Sequence, residues 1–258
     1  MLPNPWDPGT ARYLEQLGFK AVATTSAGFA FSRALPDAVK AVPVDLVLAH
    51  QREIVAATTL PVNADFQNCY ADAPEAVAAN VTRCIQTGIA GFSLEDATGD
   101  SSAPLYDFAL AVARVKAARK AIDESGIPVV LTARCEAWLV GAADPLCSSL
   151  ERLVAFAAAG ADCLYAPGVS KLDEIAVIVK AVAPRPVNVL VSTNNCDVSV
   201  PQLAELGVRR VSVGAALARV AWGAFMQSAR DISEQGSFKA FAEAAPFNEL
   251  NDLFSARA

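Results

Sequence analysis

A (β/α)8 barrel is the fold this sequence predicts, and three observations carry the prediction. Strand-length apolar runs alternate eight times with helical stretches. A glycine repeatedly stands between a helical stretch and the next run. The chain of 258 residues, 53% hydrophobic with a mean hydropathy of +0.33, is long enough and apolar enough to bury one large core. An open doubly wound sheet is the alternative, because closure leaves no mark in a sequence.

The strands are expected at residues 2–6, 21–25, 61–65, 91–95, 129–133, 163–166, 187–191 and 210–213, each a short apolar run bounded by turn residues. Amphipathic stretches at 8–17, 45–57, 74–86, 106–124, 148–158, 171–182, 200–206 and 215–234 supply the helices between them. Gly18, Gly88, Gly160 and Gly207 occupy the same place in four of the units, where a helix ends and the chain turns into a strand. Residues 1–258 are read as one domain, with 237–258 a helical extension beyond the eighth helix. That extension carries Phe238, Phe241, Phe247, Leu250, Leu253 and Phe254, more apolar surface than a lone tail can hide, and is expected to pack on another subunit.

A net charge of −6 and a pI near 4.9 argue against a nucleic-acid partner, whose phosphates require clustered Lys and Arg. No run approaches the roughly 18 apolar residues of a membrane span, and no basic segment followed by a cleavage site opens the sequence. The six cysteines, Cys69, Cys84, Cys135, Cys147, Cys163 and Cys196, form no C-x-x-C pair and stand apart from His50, the only histidine. Reduced thiols and a soluble, cytoplasmic protein are expected.

In a barrel the chemistry sits at the C-terminal ends of the strands. Two such ends, in Leu60-Pro-Val-Asn-Ala-Asp-Phe-Gln-Asn-Cys69 and Phe92-Ser-Leu-Glu-Asp-Ala-Thr-Gly-Asp100, carry carboxylates and amides suited to a hard cation such as Mg²⁺. Asp65, Glu95 and Asp96 are expected to meet there, although the same residues could cap the following helices. Thr25, Ser26, Ala27 and Gly28 form a turn whose N–H groups can hold an anion. Arg134 suits a carboxylate or phosphate, or an ion pair with Glu95 or Glu136. Asn188, Thr193, Asn194 and Asn195 line the pocket or shape a turn. His50 is expected to be a solvated or half-buried helix residue, and Cys69 and Cys135 small buried hydrophobes.

Seven segments in order, Pro3-Asn-Pro-Trp-Asp7, Ala23-Thr-Thr-Ser-Ala-Gly28, Pro61-Val-Asn-Ala-Asp65, Ser93-Leu-Glu-Asp-Ala-Thr-Gly-Asp100, Leu131-Thr-Ala-Arg134, Leu164-Tyr-Ala-Pro-Gly168 and Arg209-Arg-Val-Ser-Val-Gly214, span the chain. Together they resemble the isocitrate lyase/phosphoenolpyruvate mutase superfamily, in particular its short-loop, phosphonomutase-like (carboxyvinyl-carboxyphosphonate phosphorylmutase-like) branch. The resemblance implies a barrel with a helix exchanged between subunits in a homodimer or homotetramer, and Mg²⁺ (or Mn²⁺) chelated by a 2-oxo acid or dicarboxylate. By position it makes Asp65 the direct metal ligand, Glu95 a ligand through water and Asp37 a further acid of the site. It places the substrate carboxylate on Ser26, Ala27 and Gly28 and the anionic or oxyanionic end on Arg134.

Departures from the family pattern narrow the reaction. The lyase branches carry a Lys-x-Cys-Gly-His gating loop, whereas Thr98-Gly-Asp-Ser-Ser-Ala-Pro104 has neither Cys nor His, nor the Lys and Asn-Ser pattern of the true mutase. Asn63 stands where lyases have a second acid, and Pro167 replaces their glutamate. This argues against isocitrate or methylisocitrate cleavage and leaves metal-assisted enolate formation. Decarboxylation of an oxaloacetate-like substrate is its least demanding form, because carbon dioxide leaves without a general acid. Carbon–phosphorus chemistry and non-catalytic binding are the alternatives. Family members also carry about one helical segment before the Pro3–Asp7 motif that covers the barrel floor, so apolar surface is expected to be exposed there.

Overall fold

The computed structural model describes residues 1–193 and 197–255, so Asn194, Asn195 and Cys196 of the expected pocket rim lie outside the described residues. Its order is α1 (Pro8–Gln16), β1 (Val22–Ala23), α2 (Ser26–Ser32), α3 (Val44–Ala57), β2 (Val62–Asp65), α4 (Pro74–Ile85), β3 (Gly91–Glu95), α5 (Phe108–Ser125) and β4 (Val130–Arg134). It continues with α6 (Pro145–Ala158), β5 (Cys163–Tyr165), α7 (Leu172–Val182), β6 (Val187–Leu190), α8 (Val200–Glu205), β7 (Arg210–Ser212), α9 (Ala216–Gln235), a 3-10 turn (Lys239–Glu243) and α10 (Phe247–Ser255). All seven strands are parallel and pair in chain order.

The expected first strand is reduced to a single parallel bridge, Leu2 to Ser212. Pro3 and Pro5 have no N–H to donate, so the segment cannot sustain a ladder. It nonetheless closes the barrel. The Leu2 N–H donates to the Val211 carbonyl at 2.7 Å, and the Pro3 carbonyl accepts from the Ala23 N–H at 3.0 Å. Buried Asn4 fastens the same seam: its Oδ1 accepts from the N–H groups of Val213 and Gly214, and its Nδ2 donates to the Thr24 carbonyl, all at 2.9 Å.

Local chemistry fixes the helix starts. Asp7 caps α1 and accepts from the Thr10 N–H, with Pro8 at the first helical position; Asp144 and Pro145 repeat the arrangement on α6, and Ser199 with Gln202 forms a capping box on α8. At the other end, Gly18, Gly88, Gly160 and Gly207 take left-handed φ values of 83–104°, which only glycine adopts without penalty. The core is the layer between strands and helices, where Phe66, Phe92, Leu131, Phe156, Leu164 and Ile178 are fully buried.

Thr25 caps a helix that the sequence reading takes for a turn, α2. At the chain's end α10 lies against α1 of its own chain, with Arg12 reaching the Phe254 carbonyl at 3.4 Å, so the expected exchange with another subunit is not displayed. Among the described residues no helix is long and apolar enough to cross a membrane. The barrel floor holds an apolar-walled cavity of about 410 Å³ between Leu2, Ala21, Pro61, Val130 and Pro186. It lies at the strand starts, away from Asp65, Glu95 and Arg134.

Candidate active site

Arg134, the last residue of β4, is the hub of the opposite end. Its Nη1 lies 2.7 Å from Glu95 Oε1 and 3.0 Å from Asp65 Oδ1, its Nε lies 2.8 Å from Glu136 Oε1, and its guanidinium carbon sits 4.8 Å from the centroid of the Tyr165 ring. Register produces this meeting, because Glu95 pairs with Arg134 and Arg134 with Tyr165 across β3, β4 and β5. Asp65, paired with Ser93, takes two further hydrogen bonds, from the Ser26 N–H at 2.9 Å and from Ser93 Oγ at 3.2 Å.

Asp37, on the loop between α2 and α3, completes the acids. Burial of its carboxyl, with Asp65 adding repulsion, raises it above its ordinary value, while the Ser26 side chain opposes the shift. Burial also raises the carboxyls of Glu95 and Glu136; Arg134 opposes both, and repulsion among the neighbouring acids adds to both. Three carboxylates therefore share one guanidinium, with the Asp37 carboxyl nearby, a local excess of negative charge. Tyr165 is held protonated, its hydroxyl pushed by burial to about 12.

Asp96 does not join this group. Successive strand residues face opposite ways, so with Glu95 inward Asp96 points out, pairing with Arg152 at 3.1 Å and accepting from the Glu136 N–H at 2.8 Å. Asn63 and Asn188 sit deeper in the barrel. Asn63 Oδ1 faces Arg210 Nη1 at 3.4 Å and Asn188 Oδ1 accepts from Arg210 Nε at 2.9 Å, so both amide oxygens are turned to a guanidinium. A small cavity of about 40 Å³ runs between this layer and Asp65, Ser93, Arg134, Tyr165 and Ser212.

The expected anion cradle is the start of α2. The Thr25 hydroxyl accepts from the Gly28 N–H at 3.2 Å, and the Ser26 N–H is turned to Asp65. Gly28 is needed for closeness rather than for its backbone angles: a Cβ there would stand 2.6 Å from Thr25 Cγ2 and 3.0 Å from Trp6 Cβ. Gly28→Ala is expected to cost about 1–3 kcal/mol, the usual penalty of overpacking, read as a lowered urea midpoint.

His50 is buried rather than solvated. It stacks on Phe29 with ring centroids 3.8 Å apart, Nε2 lies 2.9 Å from the Trp6 carbonyl oxygen, and burial lowers its pKa, which keeps it neutral at pH 7. Cys69 and Cys135 are fully buried, and burial raises both thiols, Cys135 to about 12, so neither supplies a thiolate. The loop after β3 is a small self-bonded hairpin: Ala97 bridges Leu105, and the Thr98 hydroxyl donates to the Ala103 carbonyl at 2.6 Å. It carries no Lys, Cys or His.

Sequence reasoning missed the segment that follows Asp65. Gln67, Cys69 and Tyr70 all have left-handed φ values (44°, 56° and 55°), a strain that non-glycine residues accept only where surroundings enforce it. Asn68 is the one turn former within it, and it is not itself left-handed. The one available signal is Arg114, a charged residue on the apolar face of an amphipathic helix.

The residues present suit a divalent cation of the Mg²⁺ kind. Excess carboxylate charge around Arg134 is what such an ion would neutralise, with Asp65 and Glu95 as oxygen donors. Among the described residues no three His, Cys, Asp or Glu side chains form a ready-made chelate.

A family model described as phosphoenolpyruvate phosphomutase matches residues 1–233. A solved structure from Burkholderia cenocepacia J2315, provisionally described as a lyase/mutase, superposes with a TM-score of 0.94 at 46% identity, covering 99% of this chain and 90% of that one. A second from the same organism, provisionally described as a phosphonomutase, gives 0.80 at 34% identity over 89% of this chain and 92% of that one. Oxaloacetate decarboxylase of Paraburkholderia xenovorans (strain LB400) is 32% identical over 185 residues, 69% of this chain and 59% of that protein. The chain therefore belongs to the phosphoenolpyruvate phosphomutase family and is an enzyme of the PEP mutase/isocitrate lyase superfamily.

Proposed function

We propose that this enzyme is a Mg²⁺- or Mn²⁺-dependent lyase that decarboxylates a small oxaloacetate-like 2-oxo acid. One observation carries the reading: a cluster of Asp65, Glu95 and Glu136 paired with Arg134, with Asp37 nearby, faces the start of α2, while the neighbouring hairpin carries no Lys, Cys or His. The likeness to an oxaloacetate decarboxylase supports it.

Asp65 and Glu95 would hold the cation, with Asn63 steadying the layer beneath, and Thr25, Ser26, Ala27 and Gly28 would receive the substrate carboxylate. A cation held there would supply Lewis-acid stabilisation of negative charge on the 2-oxo oxygen. Arg134 orients the distal carboxylate, and Tyr165 and Asn188 shape the pocket below it. When the C3–C4 bond breaks, its electron pair passes through C2 to that oxygen and carbon dioxide departs. The enolate then takes a proton at C3, giving pyruvate from oxaloacetate. No side-chain nucleophile is required, and Asp37, whose carboxyl is raised by burial and by Asp65, would be the acid that supplies that proton. Pure protein with Mg²⁺ and oxaloacetate is expected to form pyruvate well above the rate of Mg²⁺ alone. Equal rates would exclude the proposal.

Carbon–phosphorus chemistry is the second reading, favoured by the family match and the phosphonomutase-like neighbour. Phosphonopyruvate in the same assay decides between them, and stabilisation by oxalate with Mg²⁺ but no turnover of either would indicate a binding protein. We further infer that a second copy of the chain covers α9 and α10, where Val220, Phe225 and Phe247 are 71%, 62% and 81% exposed. Light scattering is expected to give a dimer or tetramer, and a monomer at micromolar concentration would contradict this. A cytoplasmic setting suits the five described cysteines, all unpaired.

A further inference from the structure

Arg114 projects from α5 into the protein and is 1% exposed, yet no carboxylate lies within ion-pair distance of it among the described residues. A buried guanidinium is costly unless its donors are satisfied, and here backbone carbonyls take both terminal nitrogens while Nε has no partner among the described residues. Nη2 donates to the carbonyls of Asn68 at 2.6 Å and Ala71 at 2.9 Å, and Nη1 donates to the carbonyl of Glu95 at 3.1 Å. The planar head lies 3.8 Å from the centroid of the Tyr106 ring. Tyr106 in turn accepts from Asn68 Nδ2 at 2.9 Å and donates to Asp72 at 2.5 Å.

These three carbonyls belong to the two segments that leave the candidate site. Asn68 and Ala71 bracket Cys69 and Tyr70, two of the three left-handed residues that follow Asp65. Glu95 is itself one of the site acids, and its N–H donates to the Gln67 carbonyl at 2.9 Å, which joins the segments directly. One planar group thus binds both at once, at the place where the backbone is strained. A lysine, with a single donor atom on a flexible stem, could not span three carbonyls in this fork.

We propose that Arg114 is the positioning residue of the site: it clamps the strained 66–71 segment to the end of β3 and so sets the spacing of Asp65 and Glu95 on which cation affinity depends. The cation part of this inference rests on the proposed function, whereas the clamp itself does not. Outer partners that orient metal ligands typically change affinity 10–100-fold when removed.

The test compares Arg114→Lys and Arg114→Gln with Val115→Ala, a buried neighbour on the same helix that touches neither segment through hydrogen bonds. In metal-free protein the amides of Cys69, Tyr70 and Glu95 are hydrogen-bonded, so their exchange with deuterium reports the clamp. Both arginine variants are expected to speed that exchange at least tenfold beyond the effect of Val115→Ala at matched global stability. Titration with Mn²⁺, followed by its paramagnetic resonance signal, is expected to show 10–100-fold weaker binding. If Arg114→Gln does not fold, Arg114→Lys, which keeps the charge, carries both measurements. Exchange in 66–71 and at Glu95 no faster than in Val115→Ala would overturn the proposal. Wild-type protein that binds no Mn²⁺ would count against the proposed function, and the exchange comparison would still decide the clamp.

Discussion

Asp65→Asn is expected to lower cation-dependent turnover by two to three orders of magnitude, the effect of removing one principal source of charge stabilisation from a closed site. It should also abolish the stabilisation that Mn²⁺ and oxalate give together. The isosteric amide keeps the size of the side chain but removes the anionic oxygens that face Ser26, Ser93 and Arg134. Folding should survive. Asp65 is one of three carboxylates paired with a single guanidinium, so losing its charge relieves repulsion on Glu95, Glu136 and the nearby Asp37 while costing one ion pair. The variant's urea midpoint is therefore expected within about 1 kcal/mol of wild type, as for changes whose opposing terms nearly cancel. Thermal shift with and without Mn²⁺ and oxalate separates the two effects. Retained ligand stabilisation in Asp65→Asn would remove this residue from the cation site.

The barrel was legible because its signals are local. Apolar runs between turn residues located β2 through β7 to within about two residues, and Gly18, Gly88, Gly160 and Gly207 marked four of the turns. Two errors have physical causes. Pro3 and Pro5 leave the first stave with too few donors for a strand, and Ser26-Ala-Gly-Phe-Ala-Phe-Ser32 is too short and too apolar to show helical periodicity. In the site, Asp65, Glu95 and Arg134 were legible as strand-end residues, and register brings them together. Asp96 was misplaced because two adjacent acids were assigned to one face of a strand. The strained 66–71 segment was invisible, since what enforces it arrives from Arg114, 46 residues from Asn68 along the chain. Arg210 was equally hidden: only the closed barrel shows that a residue at the start of β7 faces Asn63 and Asn188 across the interior.

Arg134→Gln is expected to be the most damaging single change, for stability and activity together. The side chains of Arg134, Asp65, Glu95 and Glu136 are 13%, 17%, 10% and 5% exposed, so removing the cation leaves three largely buried carboxylates with little water to compensate them. Breaking one partner of a buried pair typically costs about 3–5 kcal/mol. The loss should depend on pH in a stated direction. Burial already raises Glu95 and Glu136 above their ordinary value of 4.5, and Arg134 opposes that shift. Without the guanidinium their folded values rise further. A carboxyl whose folded pKa is raised binds more protons folded than unfolded, so its contribution is fully present below the unfolded value and is lost as pH climbs through the folded one. The deficit of Arg134→Gln should therefore be largest near pH 7.5 and shrink as pH falls toward 5.5. Mg²⁺, supplying the missing positive charge, should recover part of the stability at pH 7.5 while turnover stays absent, because a cation cannot orient the distal carboxylate as the guanidinium fork does. Urea unfolding at the two pH values, with and without Mg²⁺, reads both effects. An equal loss at pH 5.5 and 7.5 would show that Arg134 serves through packing on Tyr165 rather than as the counter-charge of the acid cluster.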